Sequence, residues 1–336
     1  MSPEPHATQS GEDRLIARYF RPLAKHAGAF ALMDDAAVIT PPAGCDVVLK
    51  TDGIIGGVHF FPDDPADLVG KKALRVNLSD LAAKAARPLG FLLTLALPNE
   101  IGEAWLAPFA RGLGEDADFF ECPLFGGDTD RTPGPITISI AVFGAVPRGR
   151  MLRRAGAQPG ESVVVTGTIG DAALGLARRR DPSLAEQWGL SAGEGNLLLH
   201  RYLVPEPRTS VAALFGRYAS AAMDVSDGLA GDLAKLCGAS GVTAQVYATR
   251  VPLSPPAAAA LRHDPALIET IVTGGDDYEI LATVPAERVE ALRNEAAAKG
   301  VAVTEIGTVL AGDGAPRLLD QGGNPLAFAR PSFSHF

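Results

Sequence analysis

The sequence has few of the features that would mark a secreted, membrane or zinc-binding protein. Its three cysteines, Cys45, Cys122 and Cys237, are far apart and form no CxxC pair. A disulfide framework or zinc site is therefore not expected, and a reducing compartment fits this cysteine usage. No apolar run approaches the length of a membrane span, and residues 1–13 lack the apolar region of a signal peptide. We therefore predict a cytoplasmic protein without a membrane segment.

Acidic residues outnumber basic ones, with 39 Asp and Glu against 30 Lys and Arg, so the formal net charge is −9. Nucleic acids and anionic membrane surfaces would be repelled by that field, so neither is an expected partner. A small anionic ligand would be repelled as well, unless metal cations or local arginines intervene.

The familiar phosphate-binding loops are missing, since the chain has no GxxxxGK[ST] and no clean GxGxxG. The segment Gly167–Asp171 opens a predicted helix and could offer backbone N–H groups to an anion. Its simpler role is a tight strand-to-helix turn. Without a lysine-bearing loop, metal ions would have to neutralise most of the charge of a bound phosphate.

The remaining composition is that of a folded protein, with 47% hydrophobic and 21% charged residues in a chain of 336. That length is comfortable for two domains. We predict a disordered lead over residues 1–11 and domains over 12–148 and 149–336. The boundary lies near Pro147–Pro159, where the pattern breaks into Pro, Gly and Arg.

Hydrophobic periodicity predicts helices that alternate with strands in both halves, so the expected fold class is mixed α/β (α+β). A polar loop is expected over 181–196. Helices are predicted at 12–27, 68–86, 105–113, 171–179, 229–237 and 286–299, and strands at 46–49, 91–97, 136–143, 162–166, 221–225, 278–284 and 301–309.

Aspartates beside small residues recur where apolar segments are expected to end. These acidic segments are Met33–Ala36, Lys50–Gly53, Asn77–Asp80, Gly126–Thr129, Asp224–Gly228 and Gly274–Asp277. Mg²⁺ prefers oxygen ligands, usually one or two carboxylates with waters and substrate phosphates. Aspartate is also common in turns and at helix N-termini, so any one segment could be structural, Asp227 before Gly228–Leu229 above all. Six such segments make an entirely structural explanation much weaker.

Two other features allow a structural and a functional interpretation. His59 lies beside Phe60 and Phe61, where a lone histidine is more often structural than catalytic. Arg150, Arg153 and Arg154 form a basic group at the predicted boundary. Such a group is usually a solvated face, but one arginine could clamp a nucleotide phosphate.

Taken in order, the motifs resemble the thiamine-monophosphate kinase family, over nearly the whole chain. The segments that carry the resemblance are Thr51–Asp52 with Gly57–Phe60, Lys72–Ala83, Gly126–Thr129, Asp224–Leu229 and Gly274–Glu279. The resemblance implies a two-domain fold similar to aminoimidazole-ribonucleotide synthetase, with an N-terminal sheet that forms a barrel across a homodimer and a C-terminal α/β domain. It also implies that ATP, as co-substrate, phosphorylates thiamine monophosphate to thiamine diphosphate with several magnesium ions.

Site residues are carried over from the family one position at a time. The positions that match metal ligands are Asp35, Thr51, Asp52, Asp80, Asp128, Asp224 and Asp227. Nucleotide contacts match Gly127, Asp128, Arg154 and Ser226, and contacts to the thiamine phosphate match His59, Asp276 and Phe333. Three positions depart from the family pattern: Met33 stands for a usual Gly, Lys50 for a small hydroxyl residue and Asp276 for a usual Glu.

The chemistry that this resemblance implies needs no general base. A phosphate monoester has a second pKa of about 6, so the accepting phosphate is already largely ionised at neutral pH. The alternatives are another ATP-using enzyme of the same superfamily or a non-catalytic nucleotide- or metal-sensing protein on this fold. A selenophosphate synthetase would want a reactive cysteine near the N-terminus, and residues 1–44 contain none.

Overall fold

The computed structural model describes residues 11–329 and 332, and these group into two compact units. The N-terminal unit comprises the described residues up to Ala43, Leu49–Asn77 and Pro88–Gly144. The C-terminal unit comprises Gly44–Val48, Leu78–Arg87 and the described residues from Ala145 on. The domain limits and roles given above for residues 12–148 and 149–336 stay a prediction. Of the predicted lead, only Gly11 is described, and it starts the first helix.

The N-terminal unit is built on a four-stranded sheet of order β1-β4-β2-β3. Its elements, taken with the unit that holds most of their residues, are β1 (Cys45–Ile55), β2 (Arg87–Leu97), β3 (Leu124–Arg131), β4 (Thr137–Pro147), α1 (Gly11–Leu15), α2 (Ala66–Ala83) and α3 (Glu103–Phe119). Strand β3 pairs parallel to β2, with Leu93 opposite Gly127 and Thr94 opposite Asp128. Helix α2 is close to its predicted bounds because Leu74, Leu78 and Leu81, at helical spacing, are fully buried.

The long first helix predicted over 12–27 is wrong. Helix α1 ends at Leu15, a π-helical turn follows over Ile16–Phe20, and a 3₁₀ turn occupies Arg21–Leu23. Pro22 lies in this 3₁₀ turn and prevents a regular helix from continuing towards residue 27, because it has no N–H to donate and its ring clashes with the preceding turn.

The C-terminal unit contains a six-stranded sheet of order β10-β7-β9-β5-β8-β6. Its strands are β5 (Ser162–Thr166), β6 (Ala221–Asp224), β7 (Thr243–Tyr247), β8 (Ile280–Val284), β9 (Val303–Leu310) and β10 (Arg317–Leu319). Its helices are α4 (Asp171–Arg180), α5 (Leu184–Gln187), α6 (Ala192–Leu203), α7 (Ala212–Tyr218), α8 (Leu229–Ser240), α9 (Pro255–His263), α10 (Leu267–Thr273) and α11 (Val289–Ala297). The mixture of sheets and helices agrees with the predicted α/β (α+β) class.

Both faces of this sheet are covered. On the central strand β5, Val163 and Val165 belong to one buried cluster, and Val164 belongs to another. Because successive side chains of a strand point to opposite faces, the continuous apolar run of β5 is what a strand between two helical layers requires. Each such buried Val is worth roughly 1.5–3 kcal/mol relative to an exposed one.

The polar loop predicted over 181–196 is also wrong, because α5 and the start of α6 lie within it. The side chain of Ser191 accepts a hydrogen bond from Glu194 N, and the side chain of Glu194 accepts one from Ser191 N. This capping box satisfies backbone donors that would otherwise be orphaned at the start of α6. Its Ser-x-x-Glu spacing was visible in the sequence.

Among the described residues, no helix is both long and apolar enough to cross a membrane. All three cysteines are free. Burial raises the pKa of the Cys122 thiol to about 12 and that of Cys237 to about 11, which makes both thiols poor nucleophiles.

Candidate active site

A cavity of about 630 Å³ in the N-terminal unit brings together Asp34, Asp35, Gly127 and Asp128. Asp34 and Asp35 follow a 3₁₀ segment, Ala27–Leu32, and both are exposed. Asp128 lies on β3 and is exposed as well. The lining of this cavity therefore includes three exposed aspartates among many apolar residues.

Gly127 is required at its position by close approach of the backbone. A Cβ built there would lie 1.8 Å from the carbonyl oxygen of Leu93, on the neighbouring strand β2. No other residue can be accommodated without moving the strand pair. The Gly126–Gly127–Asp128 sequence thus carries two requirements at once, a tight strand pairing and a carboxylate at the cavity.

Thr51 and Asp52 are a second acidic position of this unit. The Thr51 hydroxyl donates to the carbonyl of Ile140 at 3.1 Å, and Asp52 N donates to the side chain of Asn77 at 2.8 Å. Lys50 lies two residues before Asp52, and its ammonium is 3.1 Å from the Asp52 carboxylate. Thr51 and Asp52 are not among the residues that line the cavity.

The prediction that the aspartates lie at the ends of apolar segments holds only in part. Asp224 is the last residue of β6, as predicted. Asp52 and Asp128 lie inside β1 and β3, and Asp80 lies inside α2. Polar residues inside these strands were mistaken for strand ends because one strand face is exposed and needs no apolar side chains.

In the C-terminal unit, two acidic loops lie side by side. Val225 N donates to the carbonyl of Glu279, Tyr278 N to that of Val225, and Asp276 N to that of Ser226, at 2.8, 2.8 and 2.9 Å. We call segments Asp224–Gly228 and Gly274–Glu279 the paired loops. A Cβ at Gly275 would lie 2.2 Å from the Ser226 carbonyl oxygen, so this close pairing requires glycine.

The aspartates of the first paired loop have protein partners. The buried carboxylate of Asp224 accepts a hydrogen bond from Ser79, the residue before Asp80, at 2.8 Å. The ammonium of Lys235 contacts Asp227 and lies 2.8 Å from Asp232. Burial raises the pKa of Asp232, although hydrogen bonding and charge from Lys235 act in the opposite direction. Lys235 and Asp232 were missed from the sequence, although their i, i+3 spacing on α8 is a recognisable signal.

The Gly167–Asp171 turn is not open to an external anion. Gly170 N donates to the buried carboxylate of Asp277 at 2.8 Å, and Ile169 N donates to the carbonyl of Pro252 at 2.9 Å. The turn therefore has the simpler structural role that was weighed above. Burial raises the pKa of Asp277 well above its usual range, with the neighbouring Asp171 charge adding to it and the Gly170 N–H opposing it.

Two other predicted contact residues, His59 and Arg154, belong neither to the cavity lining nor to the paired loops. His59 lies beside β1, and its Nδ1 accepts a hydrogen bond from Ile55 N at 3.0 Å. Arg154 is exposed, and its backbone carbonyl accepts a hydrogen bond from Ser240 at 3.0 Å. Phe333 lies outside the described residues.

The exposed carboxylates could hold a metal ion only together with waters or substrate phosphates. Within residues 11–329 and 332, no three His, Cys, Asp or Glu side chains form a group that could hold a metal ion by themselves. Mg²⁺, however, is usually held by one or two carboxylates together with waters and substrate phosphates. Exposed oxygen donors at Asp35 and Asp128 in one cavity fit that habit.

The comparisons with known proteins agree with this geometry. Residues 33–146 match the family model "AIR synthase related protein, N-terminal domain", and residues 158–317 match the C-terminal domain. The fold and the acidic cavity thus define a two-domain protein of the AIR synthase related class. A thiamine-monophosphate kinase of Caulobacter vibrioides is 42% identical over 314 residues, which cover 92% of this chain and 87% of that relative. The chain belongs to the thiamine-monophosphate kinase family.

Two solved structures extend the similarity to three dimensions. Thiamine-monophosphate kinase from Stenotrophomonas maltophilia K279a is 36% identical, with a TM-score of 0.80 and coverage of 94% of this chain and 96% of that one. AaThiL complexed with AMPPCP and TMP is 29% identical, with a TM-score of 0.76 and coverage of 92% and 97%.

Proposed function

We propose that this protein transfers the γ-phosphate of ATP directly to thiamine monophosphate, giving thiamine diphosphate and ADP. The observation that carries the proposal is the N-terminal cavity with Asp35, Gly127 and Asp128, in a chain that belongs to the thiamine-monophosphate kinase family. AaThiL, a structural relative, has been solved with AMPPCP and TMP.

Phosphoryl transfer here needs placement more than proton transfer. A phosphate oxygen of thiamine monophosphate attacks the γ-phosphorus, and the bond from that phosphorus to the bridging oxygen of ADP breaks. The accepting phosphate has a second pKa of about 6 and is already largely ionised at neutral pH, so no side chain has to remove a proton. The protein must instead hold two anions in line against their mutual repulsion.

Magnesium ions would be held by Asp35, Asp52, Asp80, Asp128, Asp224 and Asp227, with the Thr51 hydroxyl as a further oxygen donor. When bound, Mg²⁺ supplies positive charge that offsets the repulsion between phosphates and the developing charge of the transition state. Asp35 and Asp128 are exposed in the cavity and accessible to such an ion, which supports their assignment.

Nucleotide and acceptor contacts fall to the remaining family positions. Gly127, Asp128, Arg154 and Ser226 would contact the nucleotide, and His59, Asp276 and Phe333 the thiamine phosphate. The aromatic face of Phe333 would suit the cationic thiazolium ring. Gly127 lines the cavity next to Asp128, which supports a role for its backbone.

Lys50 supplies part of the charge that a metal ion would otherwise provide. Its ammonium already lies 3.1 Å from the Asp52 carboxylate. Magnesium counted in a complex with a non-hydrolysable nucleotide tests this role. A full family complement of ions, with Lys50 turned to solvent, would exclude it.

The protein forms a homodimer through the N-terminal sheet, with the sheets of two copies joined in a barrel. Strand β1 is at one edge of that sheet, and its Leu49 is 70% exposed. An exposed edge strand with an apolar side chain favours pairing with another chain. Sedimentation of the purified protein tests this, and Leu49→Lys should shift the mass towards the monomer. A wild-type protein that sediments as a monomer at micromolar concentration would contradict the dimer.

Incubation with ATP, Mg²⁺ and thiamine monophosphate tests the activity directly. The expected products are thiamine diphosphate and ADP in equal amounts. ADP with free phosphate, and no thiamine diphosphate, would point to another ATP-using enzyme of the superfamily. Binding of ATP without any turnover would point to a nucleotide sensor. The cytoplasmic location stays a prediction.

A further inference from the structure

The second paired loop alternates between half-buried and buried residues from Asp276 to Glu279. Asp277 and Glu279 are buried, whereas Asp276 and Tyr278 are half-buried. Asp276 and Tyr278 also have left-handed backbone conformations, with φ of 71° and 52°. A bulky residue such as tyrosine rarely adopts positive φ, because its Cβ crowds the backbone. Two such residues in one loop indicate a conformation that the surroundings impose.

The two buried carboxylates hold this conformation in place. Asp277 accepts from Gly170 N at 2.8 Å, which ties the loop to the start of α4. Glu279 accepts from Thr166 at 2.7 Å and from Arg201 at 2.8 Å, and Arg208 bonds both of its carboxylate oxygens. Burial lowers the pKa of Arg208, but the hydrogen bonds and charges of Glu279 and Glu206 outweigh it, so the net shift is upward. The guanidinium therefore stays charged.

The imposed conformation brings the hydroxyl of Tyr278 to the Asp276 carboxylate. The Tyr278 hydroxyl donates to Asp276 Oδ1 at 3.2 Å, between residues only two apart in the chain. The left-handed backbone at position 276 also explains why Asp can replace the Glu that is usual in the family. Aspartate tolerates left-handed backbone better than most residues, because its short polar side chain hydrogen-bonds locally. The Asp side chain, however, is one methylene shorter than Glu. Its contact with a substrate therefore depends more on the orientation of the carboxylate.

We infer that Tyr278 is a positioning residue for the phosphate acceptor: its hydroxyl aims the Asp276 carboxylate at the cationic ring end of that substrate. This inference rests on the proposed function, which supplies the acceptor. A carboxylate attracts a thiazolium cation and repels a phosphate, so Asp276 suits the ring end of thiamine monophosphate and not its phosphate. Tyr278 and Asp276 act as one unit, because a mis-aimed carboxylate loses most of a short-range attraction.

Steady-state kinetics of Tyr278→Phe test the inference, since this change removes the hydroxyl and keeps the ring. The KM for thiamine monophosphate should rise about tenfold, as expected for one lost hydrogen bond to a charged group. The kcat should stay within about twofold, because the interaction is with the ring end and is the same in ground and transition states. The KM for ATP and the melting temperature should not change.

A double-mutant cycle separates positioning from direct contact. Asp276→Gly removes the carboxylate at a backbone conformation that glycine readily adopts. In that background Tyr278→Phe should raise the KM no further, because there is nothing left to aim. An additional tenfold rise in the double variant would mean that Tyr278 acts independently of Asp276 and would overturn the inference.

Tyr247→Phe is the matched control, because the Tyr247 hydroxyl also takes part in a side-chain hydrogen bond, which it accepts from Gln245 Nε2 at 3.0 Å. It lies on β7 and should change neither KM. If Tyr278→Phe has the wild-type KM, or lowers the melting temperature and both substrate affinities together, Tyr278 is not a positioning residue. Failure of the proposed function is distinguishable, because the wild-type protein would then make no thiamine diphosphate at all.

Discussion

The acidic residues of the two units differ in their exposure and in their hydrogen-bond partners. In the N-terminal unit, Asp34, Asp35 and Asp128 are exposed to a cavity. In the C-terminal unit, Asp277 and Glu279 are buried and bonded to backbone N–H groups, arginines and a threonine. These acidic residues are therefore open to a cavity in one region and hold a loop in the other. Burial and partners, and not the presence of a carboxylate, separate the two roles.

The largest expected effect comes from breaking a loop-holding carboxylate. Glu279→Gln removes the fully buried countercharge of Arg201 and Arg208, which are mostly buried, and leaves them Glu206, whose side chain is 50% exposed. Removing one partner of a buried ion pair costs about 3–5 kcal/mol of unfolding free energy. Urea denaturation followed by circular dichroism measures this loss.

Glu295→Gln is the comparison for that measurement, because the Glu295–Arg217 pair is exposed on both sides. Water screens such a pair, so the unfolding free energy should hardly change. If both substitutions lowered the unfolding free energy equally, burial would not explain how much a carboxylate contributes to stability.

The next effect tests a carboxylate that faces the cavity. Asp128→Asn should lower kcat by about a hundredfold or more, because a carboxylate that would hold Mg²⁺ beside the phosphates is lost. The melting temperature should stay at the wild-type value, since the side chain is exposed. Turnover is measured at saturating Mg²⁺.

Asp130→Asn is its matched control, since Asp130 is also exposed and lies two residues further along β3 but does not line the cavity. The control makes the same change of charge and should keep nearly full activity. Near-normal activity of Asp128→Asn would contradict its assignment as a ligand residue.

Lys235 contacts both the half-buried Asp227 and the buried Asp232. Its substitution should have a smaller effect on stability. Lys235→Met should cost roughly 1 kcal/mol, because the buried Asp232 loses a partner while water screens an ammonium that is 38% exposed. Added Mg²⁺ should raise the melting temperature more in the variant than in the wild type, since Asp227 would then be open to the ion. An equal Mg²⁺ response in both proteins would argue against Asp227 as a metal ligand.

The last expected effect is a pH dependence of stability caused by Asp277. Its pKa is raised by burial in the folded protein, so the folded state holds this proton at pH values where the unfolded state has released it. Stability from this group should therefore fall as pH rises from about 4, the ordinary Asp pKa, through the raised value. Asp277→Asn should flatten the decline in unfolding free energy above pH 4. A profile as steep as the wild type would show that other groups cause it.

The sequence alone determined the elements whose patterns are local or strongly periodic. Buried leucines at helical spacing predicted α2, and a continuous apolar run predicted β5. The ordered aspartate motifs were sufficient to indicate the family. Predictions went wrong where local signals competed, as at Pro22, or where a short motif was overlooked, as in the Ser191–Glu194 capping box.

Only the tertiary structure decided which carboxylates are exposed to a cavity and which are buried against protein hydrogen-bond donors. The sequence places Asp128 and Asp277 in similar glycine-rich segments, but Asp128 faces a cavity and Asp277 closes the start of α4. The partners that lock Glu279 come from residues more than seventy positions away in the chain. Such long-range contacts leave no periodic or compositional trace, because they depend on how strands and helices pack and not on their local propensities. For that reason the sequence could supply the acidic residues, and only the fold could show which of them line a cavity and which are buried in a loop.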